Sequence, residues 1–253
     1  MLGFILVFGF GIFATQAGAE TLLGSNVDYR ITAALRVGQA ELQGWLPAPW
    51  QLNPATGGPL KDANLYMIFV DRLLGQDPQG KPAAGGGTFR FVALAVPAKN
   101  PQTGEVAPFV IRIYAPHEDI KLYNPYKNSV HATIRREHSQ KGEDFEPGTG
   151  SELWELRDKV GGVLQFRVEY QRAVPRRAKQ EMKPHSSVEP TFYRIYRIDQ
   201  GSDLVKSVPA GIDRVQNYQL RSNVSELSKL FDGTEQVVGI IVSPWYVRTY
   251  FLP

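Results

Sequence analysis

The sequence predicts a mainly β protein, an antiparallel β-barrel or sandwich with one or two short helices. Extended patterns recur along the chain and are separated by turns rich in proline and glycine. Residues 163–172 alternate apolar and polar side chains, which is typical of a strand with one solvated face. Only one segment has clear helical spacing, so the prediction is dominated by strands.

The predicted strands follow from local patterns along the chain. Residues 64–71 form a continuous apolar run, as in a strand covered on both faces. Residues 88–96 and 108–114 are two apolar runs joined by a loop with proline and glycine, which predicts a hairpin. We expect nine to eleven strands, at residues 29–35, 64–71, 88–96, 108–114, 130–138, 163–172, 190–199, 236–243 and 246–252, with weaker ones at 204–208 and 214–221.

Loops are expected where proline, glycine and charge accumulate, at residues 44–59, 74–87, 140–151 and 173–187. The last of these is basic and is interpreted either as a solvated loop or as an electrostatic gate for an anionic ligand or membrane headgroup. The one convincing helix begins at Ser222 or Asn223 as N-cap. It places Leu227, Leu230 and Phe231 on one face and ends before Gly233.

The first nineteen residues carry no charge and end in Ala17-Gly18-Ala19. This A-x-A pattern after a short apolar run indicates a secretory signal peptide over residues 1–19. A retained anchor is the alternative, because no basic residue precedes the apolar run. We therefore expect an exported, periplasmic protein in which residues 20–253 form a single β-barrel domain.

Composition narrows the classes of function. The chain has no cysteine, which excludes disulfides and thiolate metal sites, and its four histidines lack the spacing of metal ligands. A net charge of +3 is too small to indicate nucleic acid as a partner. We expect no cofactor, a small apolar or anionic ligand as partner, and membrane contact only through the signal peptide. The sequence leaves a homo-oligomer open.

Common catalytic motifs are missing. The Gly85-Gly86-Gly87 run lacks the Lys-Ser/Thr of a phosphate-binding loop, and no serine lies in a G-x-S-x-G setting. Ser186 follows His185, but adjacency in sequence does not predict a triad.

A candidate pocket mouth lies at residues 114–132, between two predicted strands. Tyr114, Tyr126, Lys127 and His131 gather there, and a short polar helical turn is expected within the segment. This is the only place where a lysine, aromatic side chains and a histidine come together between β segments.

Arginines within apolar strands are the second candidate feature. Arg90, Arg112, Arg194 and Arg197 are each flanked by apolar or aromatic residues. An arginine that faces a barrel interior must be paired or must bind an anion, because an unpaired buried charge is costly. An arginine on the outer face needs no such partner, and the sequence leaves both alternatives open.

The order of segments resembles that of the acetoacetate decarboxylase superfamily over roughly residues 46–253. The resemblance rests on texture and order: Leu46-Pro47, the strand at 65–70, Ala95-Val96-Pro97, the strand at 109–114, Glu118-Asp119, the segment 114–132, Ser243-Pro244-Trp245 and the closing Leu252-Pro253. It implies a cone-like β-barrel whose pocket is lined by strands around residues 114–132.

The same resemblance implies chemistry through a Schiff-base lysine, whose pKa is lowered by apolar burial and a neighbouring cation. The family motif resembles Gly-Arg-Glu followed by Gly-Phe-Pro-Lys-Lys, and none of these elements occurs here. Lys127 is the only lysine of the corresponding stretch, residues 124–132, and the position of the family's strand glutamate falls near Arg90.

We therefore expect a non-catalytic barrel that binds a small apolar or carboxylate-bearing ligand. The expected binding residues are Arg90, Phe91, Arg112, Tyr114, Tyr126, His131 and Tyr193. One alternative is a divergent lyase that uses Lys127 as its catalytic residue, and another is an envelope scaffold without a pocket.

Overall fold

The computed structural model describes residues 19–83, 87–117 and 124–253. These residues are mainly β, with one short α-helix, α1 (Gln39–Gln43), and 3₁₀ turns at Gly58–Leu60 and Ser225–Leu227. The strands, in chain order, are β1 (Thr21–Arg36), β2 (Gln51–Leu52), β3 (Leu65–Gln76), β4 (Phe89–Lys99), β5 (Val106–Ala115), β6 (Ser129–Lys141), β7 (Thr149–Asp158), β8 (Val163–Gln171), β9 (Arg176–Met182), β10 (His185–Ser186), β11 (Ile195–Ser207), β12 (Ile212–Asp213), β13 (Val215–Ser222) and β14 (Gln236–Leu252).

The strands form one large sheet, which confirms the prediction of a mainly β protein. The predicted closed antiparallel barrel is corrected, because the sheet is mixed and open. The hydrogen-bonded order is β12-β11-β14-β1-β3-β4-β5-β6-β7-β8-β13, with β10 on β5, β2 on β4 and β9 on β11. β5 pairs in parallel with β6 and β10, so the sheet is mixed. Within the described chain, β12 and β13 end the path without pairing to each other, so the sheet is not closed into a barrel.

Alternation along β3 and β4 divides two apolar layers. Leu65, Met67 and Phe69 of β3 enter the main core, while Ile68 packs against a smaller cluster on the opposite side of the sheet. This smaller cluster consists of Ala93, Val110, Ile113, Ala115, Tyr126, Tyr196, Ile198, Tyr246 and Tyr250. β4 does the same, because its Phe89, Phe91, Ala93 series turns toward the smaller cluster. The continuous apolar run at 64–71 therefore reflects a strand buried on both faces, as the sequence predicts.

The predicted helix after Ser222 is wrong, since only a 3₁₀ turn forms there. The side chain of Asn223 does not cap a helix, because its Oδ1 accepts the Val163 backbone N–H at the start of β8. The apolar face is nevertheless buried, with Leu227 and Leu230 inside the main core. Burial of these side chains does not require a regular helix in a segment this short.

Other local predictions are also corrected. The basic segment predicted as a loop contains β9, which pairs with β11, and the first residues of the predicted loop at 74–87 still belong to β3. β7 lies partly in another predicted loop, and the two closing strands are one continuous strand, β14. Pairing with a neighbouring strand supplies the hydrogen bonds that sequence patterns alone do not reveal.

The predicted signal peptide lies, apart from Ala19, outside the described residues, as do Glu118-Asp119 and the greater part of the expected helical turn. No helix among the described residues is long and apolar enough to span a bilayer.

Candidate ligand-binding site

A cavity of about 120 Å³ lies on the side of the smaller apolar cluster. It is lined by side chains of β1, β3, β4, β5, β9, β11 and β14, together with Pro125 and Tyr126 from the segment before β6. Its apolar wall includes Ile68, Val70, Phe89, Phe91, Ile113 and Met182. Such a wall suits the hydrocarbon part of a small ligand.

Four arginines also line this cavity: Arg30, Arg72, Arg194 and Arg248. Strand alternation explains two of them. Arg72 follows Ile68 and Val70 at two-residue intervals along β3, and Arg248 lies between Tyr246 and Tyr250 on β14. The cavity therefore combines an apolar wall with a high density of guanidinium groups.

Arg30 and Arg72 share one buried carboxylate, that of Asp28. Nη2 of Arg30 lies 2.6 Å from Oδ2 of Asp28, and Nε of Arg72 lies 3.1 Å from Oδ1. Burial alone would raise the pKa of Asp28, but Arg72, Arg30 and Arg248 outweigh it and hold this pKa below 3.8. Asp28 is therefore ionised at neutral pH and fixes two of the four arginines.

The other two arginines have no carboxylate partner within the described chain. Arg248 is buried and donates from Nε to Oδ1 of Asn26 at 2.8 Å, while the buried Nε of Arg194 has no hydrogen-bond partner among the residues that the structure describes. Burial opposes the charge of Arg248, but Tyr196, Tyr246 and Asp28 more than compensate and raise its pKa. This part of the wall therefore carries two guanidinium groups that form no ion pair with a carboxylate of the described residues.

Two tyrosine hydroxyl groups meet at the cavity, those of Tyr126 and Tyr196. Burial raises the pKa of Tyr126 well above its ordinary value. For Tyr196, burial acts in the same direction, but Arg248 and Arg194 outweigh it and lower the phenol pKa. The guanidinium carbon of Arg248 lies 4.1 Å from the centre of the Tyr196 ring, which accounts for this effect. The pair offers a polarised hydroxyl group beside the guanidinium groups of Arg194 and Arg248.

Of the residues predicted for the site, the structure brings Phe91 and Tyr126 to the cavity. The side chain of Arg90 is 45% exposed, and its Nε lies 3.3 Å from Oδ1 of Asp71. His131, on β6, and Tyr193, whose ring stacks on His185 at 5.0 Å, are not among the lining residues.

Arg112 and Tyr114 belong to a different contact, on the main-core side of β5. Nη2 of Arg112 donates to Oε2 of Glu226 at 2.6 Å, and the hydroxyl of Tyr114 donates to Oε1 at 2.6 Å. Both side chains anchor the 3₁₀ turn at Ser225–Leu227 to β5, so their partners are internal.

Lys127 also lies away from the cavity wall. Its Nζ is 2.9 Å from Oε2 of Glu189, and its side chain is 67% exposed. A Schiff-base lysine requires a neutral amine, which apolar burial favours and an ion pair opposes. No lysine lines the cavity among residues 19–83, 87–117 and 124–253.

A second buried charged cluster is internally satisfied. Glu152 accepts hydrogen bonds from Arg136, Tyr29 and Trp154, and Arg136 also donates to Asp71 at 2.8 Å. It links β1 and β3 to β6 and β7, and it leaves no charge available for a ligand. No group of three or more histidine, aspartate or glutamate side chains suited to a metal ion occurs in the described chain.

Sequence reasoning singled out Arg194 but missed Arg30, Arg72, Arg248, Tyr196 and Asp28. The available signal was the alternation Tyr246-x-Arg248-x-Tyr250, which places three large polar-tipped side chains on one strand face.

No protein-family model and no curated protein matches the sequence. Solved structures do match it. An acetoacetate decarboxylase-like enzyme from Sphingomonas wittichii RW1 is 12% identical with a TM-score of 0.57, over 97% of this chain and 98% of that one. The enduracididine biosynthesis enzyme MppR, complexed with pyruvate, is 11% identical with a TM-score of 0.60, over 95% and 91%.

The acetoacetate decarboxylase from Legionella pneumophila is 11% identical with a TM-score of 0.50, over 95% of this chain and 92% of that one. Each likeness extends over nearly the whole of both chains, at an identity that supports an inference about fold alone. The resemblance seen in the sequence is thus confirmed at the level of the fold, which is similar to that of the acetoacetate decarboxylase-like proteins.

Proposed function

We propose that this protein binds a small carboxylate-bearing molecule in the cavity and does not catalyse imine chemistry. The observation that carries the proposal is the charge of the wall, where four guanidinium groups accompany one carboxylate of the described residues, that of Asp28. Arginine is suited to this role because its planar fork donates two parallel hydrogen bonds to a carboxylate. The structural neighbour MppR was solved in complex with pyruvate, which is a molecule of this kind.

The apolar wall supports a ligand with a hydrocarbon portion. Phe89, Phe91 and Met182 contribute contact area, while Arg194 and Arg248 hold the carboxylate beside the Tyr126–Tyr196 hydroxyl pair. Desolvation of two guanidinium groups that have no carboxylate partner among the described residues is costly, and a bound anion offsets that cost.

Binding is tested by calorimetric titration of the full chain with pyruvate and, as the neutral counterpart, pyruvamide. We expect heat of binding only with pyruvate, and loss of that heat in Arg194→Gln. Arg90→Gln is the matched control, since Arg90 lies on a cavity-forming strand but does not itself line the cavity. Equal binding of the acid and the amide would refute a role for the arginines.

The divergent lyase is the alternative that the fold favours, because the structural neighbours are enzymes of the decarboxylase kind. It is tested by treating the chain with pyruvate and borohydride and measuring the intact mass. We expect no adduct, because the cavity wall described above contains no lysine. A reduced adduct, located by peptide mapping at Lys127 or at any other lysine, would overturn the non-catalytic proposal.

Export to the periplasm is also part of this proposal. It is supported by the uncharged apolar run over residues 1–19 and its Ala17-Gly18-Ala19 ending. N-terminal sequencing of the protein from a periplasmic fraction should begin at Glu20. Recovery with residues 1–19 attached to the membrane would favour the retained anchor instead.

A further inference from the structure

The positive charges of the cavity wall lie at two places. Arg30 and Arg72 surround Asp28, which neutralises one of their two charges. Arg194 and Arg248 lie around Tyr250, with guanidinium carbons 5.5 and 5.3 Å from the centre of its ring. Each place therefore carries an excess of positive charge.

The excess of positive charge at the cavity wall is larger than a ligand with a single negative charge can neutralise. Four guanidinium groups line the wall, and Asp28 is the carboxylate bonded to them within the described chain. Three positive charges then remain. Ionisation of Tyr196, whose phenol pKa is lowered by Arg248 and Arg194 against the effect of burial, would leave two. A monoanion leaves at least one charge without a partner in either case.

We propose that the ligand is a small organic dianion whose two negative charges are shared between the Arg194–Arg248 pair and the Arg30–Arg72 pair. This inference rests on the proposed function, because it assigns the number of charges to the anion that the cavity binds. Two sources supply such a ligand, a short dicarboxylate and a phosphate monoester. Both accept paired hydrogen bonds from guanidinium groups.

The physical reason is the cost of a desolvated charge. Arg72 and Arg248 are 5% and 9% exposed, so water solvates them little. Each additional charge-assisted hydrogen-bonded pair formed in such surroundings strengthens binding by about 10- to 100-fold. A dianion gains this factor over a monoanion of nearly the same shape.

The experiment compares succinate with monomethyl succinate, which keeps the carbon chain and removes one charge. Both are titrated calorimetrically into the full chain at about pH 8 and at constant ionic strength, and methyl phosphate provides the phosphate arm. We expect succinate or methyl phosphate to bind about 10- to 100-fold more tightly than monomethyl succinate. The dianion that binds more tightly shows whether the ligand is a dicarboxylate or a phosphate monoester.

A variant pair makes the comparison specific. Arg194→Gln should reduce the preference for the dianion by about ten-fold, whereas Arg197→Gln should leave it unchanged. Arg197 is a matched control because it lies three residues further along and pairs with Glu20 and Glu181 outside the cavity.

The outcomes separate the two proposals. Equal affinity for the monoanion and the dianions overturns the dianion inference and leaves carboxylate binding intact. Absence of binding by every anion, while pyruvate is also without effect, overturns both. A dianion preference that survives Arg194→Gln but falls in Arg197→Gln also overturns the inference, because the charge would then be recognised elsewhere.

Discussion

Replacing Asp28 by asparagine tests the electrostatic core of the cavity. The Asp28 carboxylate is fully buried and accepts hydrogen bonds from Nε and Nη2 of Arg30, at 3.1 and 2.6 Å, and from Nε of Arg72 at 3.1 Å. Asparagine keeps the shape of the side chain and removes its charge. Arg30, Arg72 and Arg248 would then repel one another without a counter-ion.

The expected loss of stability follows from this geometry. Removing one partner of a buried ion pair costs about 3–5 kcal/mol, because the remaining charge stays buried. The amide oxygen of asparagine retains one acceptor, so we expect the lower end, about 3 kcal/mol. For a domain of this size that corresponds to a fall in melting temperature of about 6–12 °C.

Urea unfolding followed by circular dichroism measures this loss. Asp199→Asn is the control, since Asp199 also pairs with an arginine, Arg177, but on the exposed surface. The control should match the wild type within error. A loss below about 1 kcal/mol for Asp28→Asn would refute the claim that this carboxylate balances the buried arginines.

The pH dependence gives a second check on the same residue. Burial would raise the pKa of Asp28, but its three arginine neighbours lower it below 3.8. A depressed carboxyl pKa contributes stability that is fully present above the unfolded-state value and is lost as the pH falls through the folded-state value. The difference between wild type and Asp28→Asn should therefore be constant from neutral pH to about pH 4 and shrink below that.

Three further predictions concern other residues. Arg248 and Arg194 lower the phenol pKa of Tyr196 against the effect of burial, so Tyr196→Phe should remove the earliest phenolate absorbance in an alkaline titration. A Cβ atom on Gly150 would lie 2.6 Å from the ring of Tyr170, so Gly150→Ala should cost about 1–3 kcal/mol in urea unfolding, whereas Gly57→Ala, which meets no atom within 4 Å, should not. Lys127→Gln should leave pyruvate affinity unchanged in calorimetry, because Lys127 is exposed and away from the cavity; a loss of binding would contradict its placement.

Strand positions were predictable because alternation is a local property of the chain. The run at residues 64–71 and the alternating residues 163–172 appear as β3 and β8 with the expected burial. The helix after Ser222 was predicted wrongly, because a distant backbone group on β8 occupies the oxygen that would cap it. β9 was missed for a similar reason, since its pattern is charged and its pairing with β11 supplies the strand.

The residues of the candidate site were harder to predict than the strands, because they depend on contacts between distant parts of the chain. Arg72 and Arg90 both belong to strands that form the cavity, yet only Arg72 lines it. Their neighbours in sequence do not distinguish the two sheet faces. The difference arises because Arg72 continues the Ile68, Val70 series toward the cavity, while Arg90 alternates with Phe89 and Phe91 and pairs with Asp71.

A mainly β chain, its principal strands and its distant likeness to the acetoacetate decarboxylase-like fold could all be predicted from the amino-acid sequence. They follow from side-chain periodicity and segment order, which are local properties of the chain. Which charges meet could not be predicted in this way, because it depends on strand pairing over long sequence separations. Arg30 and Arg248 lie on β1 and β14, and Arg194 directly precedes β11. They share one cavity because β14 lies between β1 and β11 in the sheet.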